Sequence, residues 1–485
     1  MTTVSVPLQD DSVHFRLKSL ALVALCFHAL FAMTDFGGQL KPEYGAFVAT
    51  LLILFAGPCP WRELARLPAT WLQGFFILFV IAHAAYATSV FPAIGYSRQL
   101  SAASEFVRLG VFSCVIGWWL SLMPRAIPLL FALMIAGLLT AVLAYMPWAD
   151  LPQIWDGRLR PKLGMPENLA GQLAALGGWL ALCLLLKSWN VHGRFRRRRG
   201  LMAVFLVAYV GSFCALLFSQ SRGAWLAFAA TVPVIVLSVW YTGKRERGGA
   251  VPWLPLVGVA AISLLLLLGA RDIVAQRFAG AEQLLPQVSD ADEQGAAAAA
   301  RISRAVPASQ RHESHVGQSA RAGATHDPAA KASRAASVNN KAISVRMSLY
   351  EFGMARWRER PLLGWGLRST SALIAGSGLR LDGQRHAHLH SAYIDALVGM
   401  GAVGVCLLGL FLALLMRELA MAWRRGAVSN AMFWMVAGCI GIVLIANGFD
   451  SLLWRYDYSR APLEIIFGCC VAYGLIRRRQ ADAAR

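Results

Sequence analysis

Twelve long apolar runs constrain this chain more than any other feature. They lie at about 18–36, 43–57, 71–91, 101–121, 125–147, 166–187, 200–220, 223–242, 251–270, 389–416, 431–450 and 461–477. A bilayer-crossing helix needs roughly 20 mainly apolar residues. Inside lipid every backbone amide must be bonded within its own segment, and these runs lack the two-residue alternation of a barrel strand. The expected fold class is therefore all-α: a polytopic membrane protein with about twelve transmembrane helices. Only 15% of residues are charged, whereas a soluble domain carries about a quarter. The net charge of +20 does not indicate nucleic acid, because the basic residues sit in short clusters between apolar runs.

Those clusters set the orientation. With the N-terminus inside, the segments assigned to the cytoplasm hold 21 Lys and Arg, and the opposite short loops hold 8. Positive charge concentrates on the cytoplasmic side, so both termini are expected there. The first run has no Ala-x-Ala-like cleavage site and reads as a retained helix. Eight of the nine cysteines fall in apolar runs, and no Cys-x-x-Cys occurs, which argues against disulfides and thiolate metal sites.

The chain divides into helices 1–9 (residues 1–270), a long outer loop (271–388), and helices 10–12 with a cytoplasmic tail (389–485). The middle of the loop, 287–342, is rich in Ala, Ser, Arg, Gly and His. It lacks the apolar surface to offset ordering entropy and is expected to be disordered. Residues 343–365 read differently. Met347, Tyr350, Met354 and Trp357 recur at helical spacing, as in an amphipathic helix lying on the membrane or on the bundle, followed by a turn. Residues 272–285 are a second candidate helix.

Ionisable residues at the edges of the spans gather towards one leaflet: Glu105, Arg108, Glu167, Arg222, His390, Asp395, Asp450, Arg460 and Glu464. Charges in apolar segments are costly and commonly line a polar cavity. Two short segments carry the chemistry. In Ser219-Gln220-Ser221-Arg222-Gly223, a tight turn puts a lone guanidinium at a helix N-terminus, a natural anion site. Arg346 opens the amphipathic helix, and Arg158, Arg160 and Lys162 add positive charge before the sixth span. In His386-Ala387-His388-Leu389-His390-Ser391, three readings are open. The histidines form a metal cluster, His390 is a structural histidine, or it is a base whose ordinary pKa of about 6.5 suits proton abstraction.

These strings resemble a known family. His390-Ser391, then Gly401 and Gly404, looks like the signature of bacterial O-antigen ligases within the ligase/polymerase superfamily. Ser221-Arg222-Gly223-Ala224-Trp225 is similar to that family's arginine before a helix. Arg346, Trp357 and Pro361-Leu362-Leu363-Gly364-Trp365-Gly366 resemble its outer-loop helix and turn, and Pro166-Glu167-Asn168-Leu169-Ala170 resembles its Asn-containing helix start. The resemblance spans about 160–410, and the Ala-rich stretch departs from it as an insertion.

The resemblance implies a GT-C-like glycosyltransferase of the bacterial inner membrane, working on the periplasmic face. Its reaction moves a glycan from undecaprenyl pyrophosphate to a sugar hydroxyl of lipid A–core. Arg222 and Arg346 could stabilise the departing diphosphate by bidentate hydrogen bonds, so that no metal and no cofactor is expected. The resemblance implies His390, Arg222 and Arg346 as catalytic residues. Arg158, Arg160, Lys162, Asn168, His388 and Ser391 are then expected to bind substrate, beside membrane lipid. An O-antigen polymerase, a protein O-oligosaccharyltransferase and a secondary transporter are the competing readings.

Overall fold

The computed structural model describes residues 12–34, 43–56, 61–189, 195–245, 253–278, 328–381, 383, 386–455 and 457–485. Among them there is no strand, and the chain is an all-α polytopic membrane protein. Counting helices of eight residues or more, the order is α1 Ser12–Phe31, α2 Glu43–Ala56, α3 Pro68–Val90, α4 Tyr96–Leu122, α5 Ile127–Tyr145, α6 Glu167–Trp189, α7 Phe195–Phe218 and α8 Arg222–Arg245. There follow α9 Trp253–Gly269, α10 Arg271–Phe278, α11 Pro328–Glu359, α12 Thr370–Ser377, α13 Ala392–Arg424, α14 Asn430–Gly448 and α15 Asp457–Ala483.

Each of the twelve expected spans falls on one of these helices. Among the described residues, eight are long and apolar enough to cross a membrane. A ninth is counted if Pro255–Gly269 and Arg271–Phe278, bent by 69° at Ala270, form one broken span. The apolar stretches of α2 (Tyr44–Phe55) and α8 (Arg222–Ser238) are shorter.

Helix α6 forms the centre of the bundle. Its apolar stretch is wholly buried, as is most of α15, whereas only a third of the corresponding stretches of α3 and α13 is buried. The outward faces carry side chains such as Phe55, Val207 and Leu265, each more than two-thirds exposed. A continuous apolar exterior of this kind needs lipid. Small residues let the inner helices approach. A Cβ on Gly438 of α14 would sit 2.0 Å from the Trp179 ring of α6, and the Trp179 indole donates to the Met435 carbonyl at 3.1 Å.

Helix α13 is interrupted at Gly401, whose φ of 63° and ψ of −172° are not helical. The turn at 361–366 docks into this break. Trp365 and Gly366 donate to the carbonyls of Val398 and Gly399, and Ala402 and Val403 donate to those of Pro361 and Leu362, all at 2.8–3.1 Å. A Cβ on Gly401 would stand 2.2 Å from the Leu362 carbonyl oxygen. The glycines of the two sequence motifs are thus one structural feature: a gap in a helix and the turn that fills it.

Two expectations about the loop need correction. Helix α11 begins at Pro328, not near 343. Alanine is the best helix former and proline suits a first turn, so the Ala-rich end of the supposed disordered stretch continues the helix. The rest of that stretch, through 327, lies outside the described residues, as do 279–285 of the second candidate helix. The packed face of α11 also coincides only in part with the Met-Tyr-Met-Trp stripe. Met347 is 49% exposed, and contact is made through Val345, Leu349, Phe352 and Trp357. These pack on Leu373, Ile374, Leu389 and Ile394, so α11 lies on the bundle at the segment leading into α13.

Candidate functional site

One end of the bundle gathers side chains from six separate segments. The loop before α6 supplies Arg160, α6 supplies Asn168, and the α7–α8 turn supplies Gln220 and Arg222. Helix α10 supplies Arg277, α11 supplies Arg346, and the turn after α14 supplies Asp450. Together they line a small polar cleft of about 80 Å³. His388 and His390 meet it through Asp450.

Close backbone approach makes this convergence possible. A Cβ on Gly171 of α6 would collide with Ser219 and Ser221, and one on Gly223 with Phe449. The α7–α8 turn can therefore lie directly on α6 and on the end of α14. Gln220 takes a left-handed φ of 50° there. Its amide donates to the Leu159 carbonyl at 3.1 Å, and its oxygen accepts both Nε and Nη2 of Arg277, at 3.0 and 2.7 Å. The next two residues then open α8 with Arg222 pointing into the cleft lining.

Arg160 is fixed on two sides. Its Nε donates to the Ser219 carbonyl at 2.5 Å, and its Nη2 to Asn168 Oδ1 at 2.6 Å. Burial and the neighbouring Arg277 guanidinium push its pKa down to about 10, against the pull of Glu167 and Asp450. It remains a cation at neutral pH. Four guanidiniums thus share one cleft with Asp450, and the arrangement is matched to an anion of more than one charge.

Asp450 is the hub between the cleft and the histidines. Its Oδ2 accepts Asn168 Nδ2 at 2.6 Å, and its Oδ1 accepts the Ser451 amide at 2.8 Å. His388 Nε2 lies 3.3 Å and His390 Nδ1 3.5 Å from the same Oδ1. Burial is the largest single influence on the carboxyl and opposes ionisation. The polar contacts from His388, His390 and Asn168 together outweigh it and hold Asp450 below the usual carboxylate range. These contacts favour the Asp450 anion.

His390 leads into α13 with a left-handed φ of 55°, a conformation that costs a non-glycine residue about 1–3 kcal/mol. Its surroundings fix it. Leu389 is fully buried beneath α11, Gly353 lets α11 approach Leu389 and Ile394, and the Tyr350 hydroxyl donates to the His390 carbonyl at 3.0 Å. Burial lowers the His390 pKa. Contact with Asp450 pulls it partly back, and His388 and Arg346 add to the lowering. The imidazole is thus neutral near pH 7. With Nδ1 turned to the Asp450 carboxylate, Nε2 is the nitrogen left to accept a proton.

The non-glycine residues with left-handed backbone are informative as a set. Among the described residues they are Leu163, Gln220, Arg368 and His390. Each lies at the cleft, in a loop that feeds it, or in the cavity next to it. Such backbone conformations tend to cluster at functional sites, which makes this region the candidate.

That adjoining cavity, about 290 Å³, lies on the other side of His388. It is lined by Glu105, Arg368, Thr370, Asp395 and Arg460 with apolar side chains including Phe106, Leu367 and Met400. Glu105 is bonded by Arg368 and pairs with Arg460 at 3.0 Å. Thr370 donates to Asp395 at 2.8 Å.

The structure therefore brings together Arg160, Asn168, Arg222, Arg346, His388 and His390 of the residues expected from sequence. Ser391 is buried beside them as the residue before α13. Arg158 and Lys162 are not brought in. Both are exposed, and Arg158 lies 3.6 Å from Asp156. The loop alternates, so that Arg160, between them, turns inward. Sequence reasoning missed Arg277 and Gln220, and it took Asp450 only as one edge charge among several.

His388, His390 and Asp450 present ligand atoms within 4.8 Å of one another, close enough to share a cation. The four arginines beside them give that spot a positive potential, which opposes a metal ion and favours an anion.

Residues 207–409 match the family model described as O-antigen ligase. The chain is thus similar to the O-antigen ligase family over that segment, which is less than half of its length. No curated protein matches it. The matched segment holds Arg222, Arg277, Arg346, His388, His390 and the glycines of the α13 break. Arg160, Asn168 and Asp450 come from outside it and are added by the fold.

Proposed function

We propose that the protein is an O-antigen ligase: a glycosyltransferase that moves a glycan from undecaprenyl pyrophosphate to a sugar hydroxyl of lipid A–core. The observation that carries this reading is the convergence of Arg160, Arg222, Arg277 and Arg346 with the Asp450-supported histidines at one end of a membrane bundle. The similarity of residues 207–409 to the O-antigen ligase family model supports a glycosyltransferase of this kind. With the topology expected from Lys and Arg placement, that end faces the periplasm of the inner membrane, and the fold is of the GT-C kind.

In this account the cleft arginines hold the diphosphate of the donor by bidentate hydrogen bonds. They stabilise the negative charge that builds on it as the anomeric C–O bond breaks. The acceptor oxygen attacks the anomeric carbon from the opposite face, which inverts that centre. His390 Nε2 takes the hydroxyl proton, and Asp450 orients the ring and stabilises the imidazolium that forms. The leaving group departs as undecaprenyl pyrophosphate. Asn168 and Arg160 line the cleft, and His388 and Ser391 contribute at its histidine side. Neither a metal nor a cofactor takes part.

The test is reconstitution of the purified chain with a lipid-linked glycan and rough lipopolysaccharide, reading product size. A ligase gives lipopolysaccharide carrying the donor glycan. Donor chains lengthened on their own lipid, with the lipopolysaccharide unchanged, would make the protein a polymerase. Donor uptake without transfer would make it a transporter.

A further inference from the structure

The end of the bundle away from the cleft holds a second charged cavity. Its volume is about 570 Å³, and it is lined by Arg66, Arg417, Arg425, Arg477, Arg478 and Arg485, with Asp482. Helices α13 and α15 run from the candidate site to this cavity, and no residue lines both.

Its charges do not balance. Arg66 meets Asp482 at 3.1 Å, but both are more than half exposed, and such pairs hold weakly. Glu418, 1% exposed, accepts Arg477 Nη2 at 2.6 Å, and Arg417 lies 3.5 Å from its other oxygen. Two carboxylates thus answer six guanidiniums. The Nε atoms of Arg477 and Arg478 are buried, and among the described residues neither has a hydrogen-bond partner. Arg477 itself is only 6% exposed. Buried charged donors are expensive to leave unbonded. All six cations are arginine, whose planar fork matches a phosphate better than an ammonium does.

An apolar groove adjoins this cavity. Arg66 and Pro68 line the basic cavity, and Ala65 and Thr70 line a groove of about 490 Å³ between α3 and α4. Its walls include Trp71, Phe75, Leu78 and Val111. Trp61 and Trp71, at its mouth, are 48% and 60% exposed, as in the aromatic belt at a membrane interface. A basic cavity beside an apolar groove fits a molecule with a phosphate head and a hydrocarbon tail.

We propose that this cavity binds the phosphate of an anionic membrane phospholipid, with an acyl chain along the α3–α4 groove. The site is separate from the proposed transfer chemistry and stands or falls without it.

The test is lipid binding to the full purified chain, by native mass spectrometry or lipid-dependent melting. The probes are phosphatidylglycerol, phosphatidylcholine and inorganic phosphate alone. Phosphatidylglycerol is expected to bind more tightly than phosphatidylcholine. Each arginine near a charged headgroup contributes roughly fivefold, so the double variant Arg425→Gln, Arg478→Gln should weaken phosphatidylglycerol by about thirtyfold. The pair Arg62→Gln, Arg125→Gln, exposed outside the cavity lining, should leave it unchanged. Competition by millimolar inorganic phosphate would support recognition of the phosphate group. Equal affinity for the two lipids in the wild-type chain would overturn the proposal, as would equal losses in the two double variants. Inorganic phosphate binding as tightly as phosphatidylglycerol would overturn the lipid assignment.

Discussion

Replacing Asp450 by Asn tests the link between the arginine cleft and the histidines at nearly constant side-chain volume. The Asn carbonyl can still accept the Ser451 amide, now made to Asp450 Oδ1 at 2.8 Å, but its amide nitrogen faces the Asn168 Nδ2 donor, so that hydrogen bond is lost along with the charge. The negative charge is lost. An imidazolium 3.5 Å from a carboxylate gains about 5 kcal/mol at an effective dielectric near 20. That is an upper figure, since some of it is recovered when the site relaxes. On that basis kcat should fall by roughly 10²–10³-fold. Donor affinity should hold or tighten, because the cleft becomes more positive. The pH profile adds an independent check. Burial already places the His390 pKa below its ordinary value, and Asp450 pulls it upward. The acid limb of kcat/KM should therefore lie below about pH 6.5 in the wild type, and lower still in the Asn variant. The assay is glycan transfer in proteoliposomes across pH, with donor binding measured separately. Wild-type kcat in the variant, or an acid limb that moves upward, would refute the role given to Asp450.

Three further outcomes follow from the same geometry. Arg222→Lys should lose most transfer activity, because an ammonium cannot make the planar fork; steady-state rates at saturating donor check this. Gly401→Ala should destabilise the fold by about 1–3 kcal/mol or more, read as a lowered melting temperature, since the added Cβ would press on the Leu362 carbonyl at a left-handed φ. Transfer should be undiminished in chelator, and activity lost to chelator and restored by added metal would instead assign His388, His390 and Asp450 to a cation.

Much of the architecture was readable from apolar run length, because lipid leaves a long apolar segment little choice but a helix. The half-site on the matched segment was readable too: Arg222 at a helix start, and His390 at the entry to another. What sequence did not show were the partners those residues meet. Asp450 reaches Asn168 across 282 positions, and nothing local to either announces the pairing. Arg277 looked like one charge in a short polar helix until Gln220 turned it inward. Arg158, Arg160 and Lys162 looked equivalent as charges, and only the packing of the loop on Ser219 singles out Arg160. The helix from Pro328 is not evident in the composition, because a lack of large apolar residues signals weak packing, whereas alanine forms helix through backbone preference alone.

The central claim is a division of labour, in which arginines bind the lipid diphosphate and His390 activates the acceptor. Donor binding and glycan transfer, measured side by side for His390→Ala and Arg346→Lys, test it most directly. The account predicts that His390→Ala binds undecaprenyl-pyrophosphate glycan as the wild type does but transfers none, while Arg346→Lys binds it weakly. Equal loss of donor binding in both variants, or undiminished transfer by His390→Ala, would contradict it.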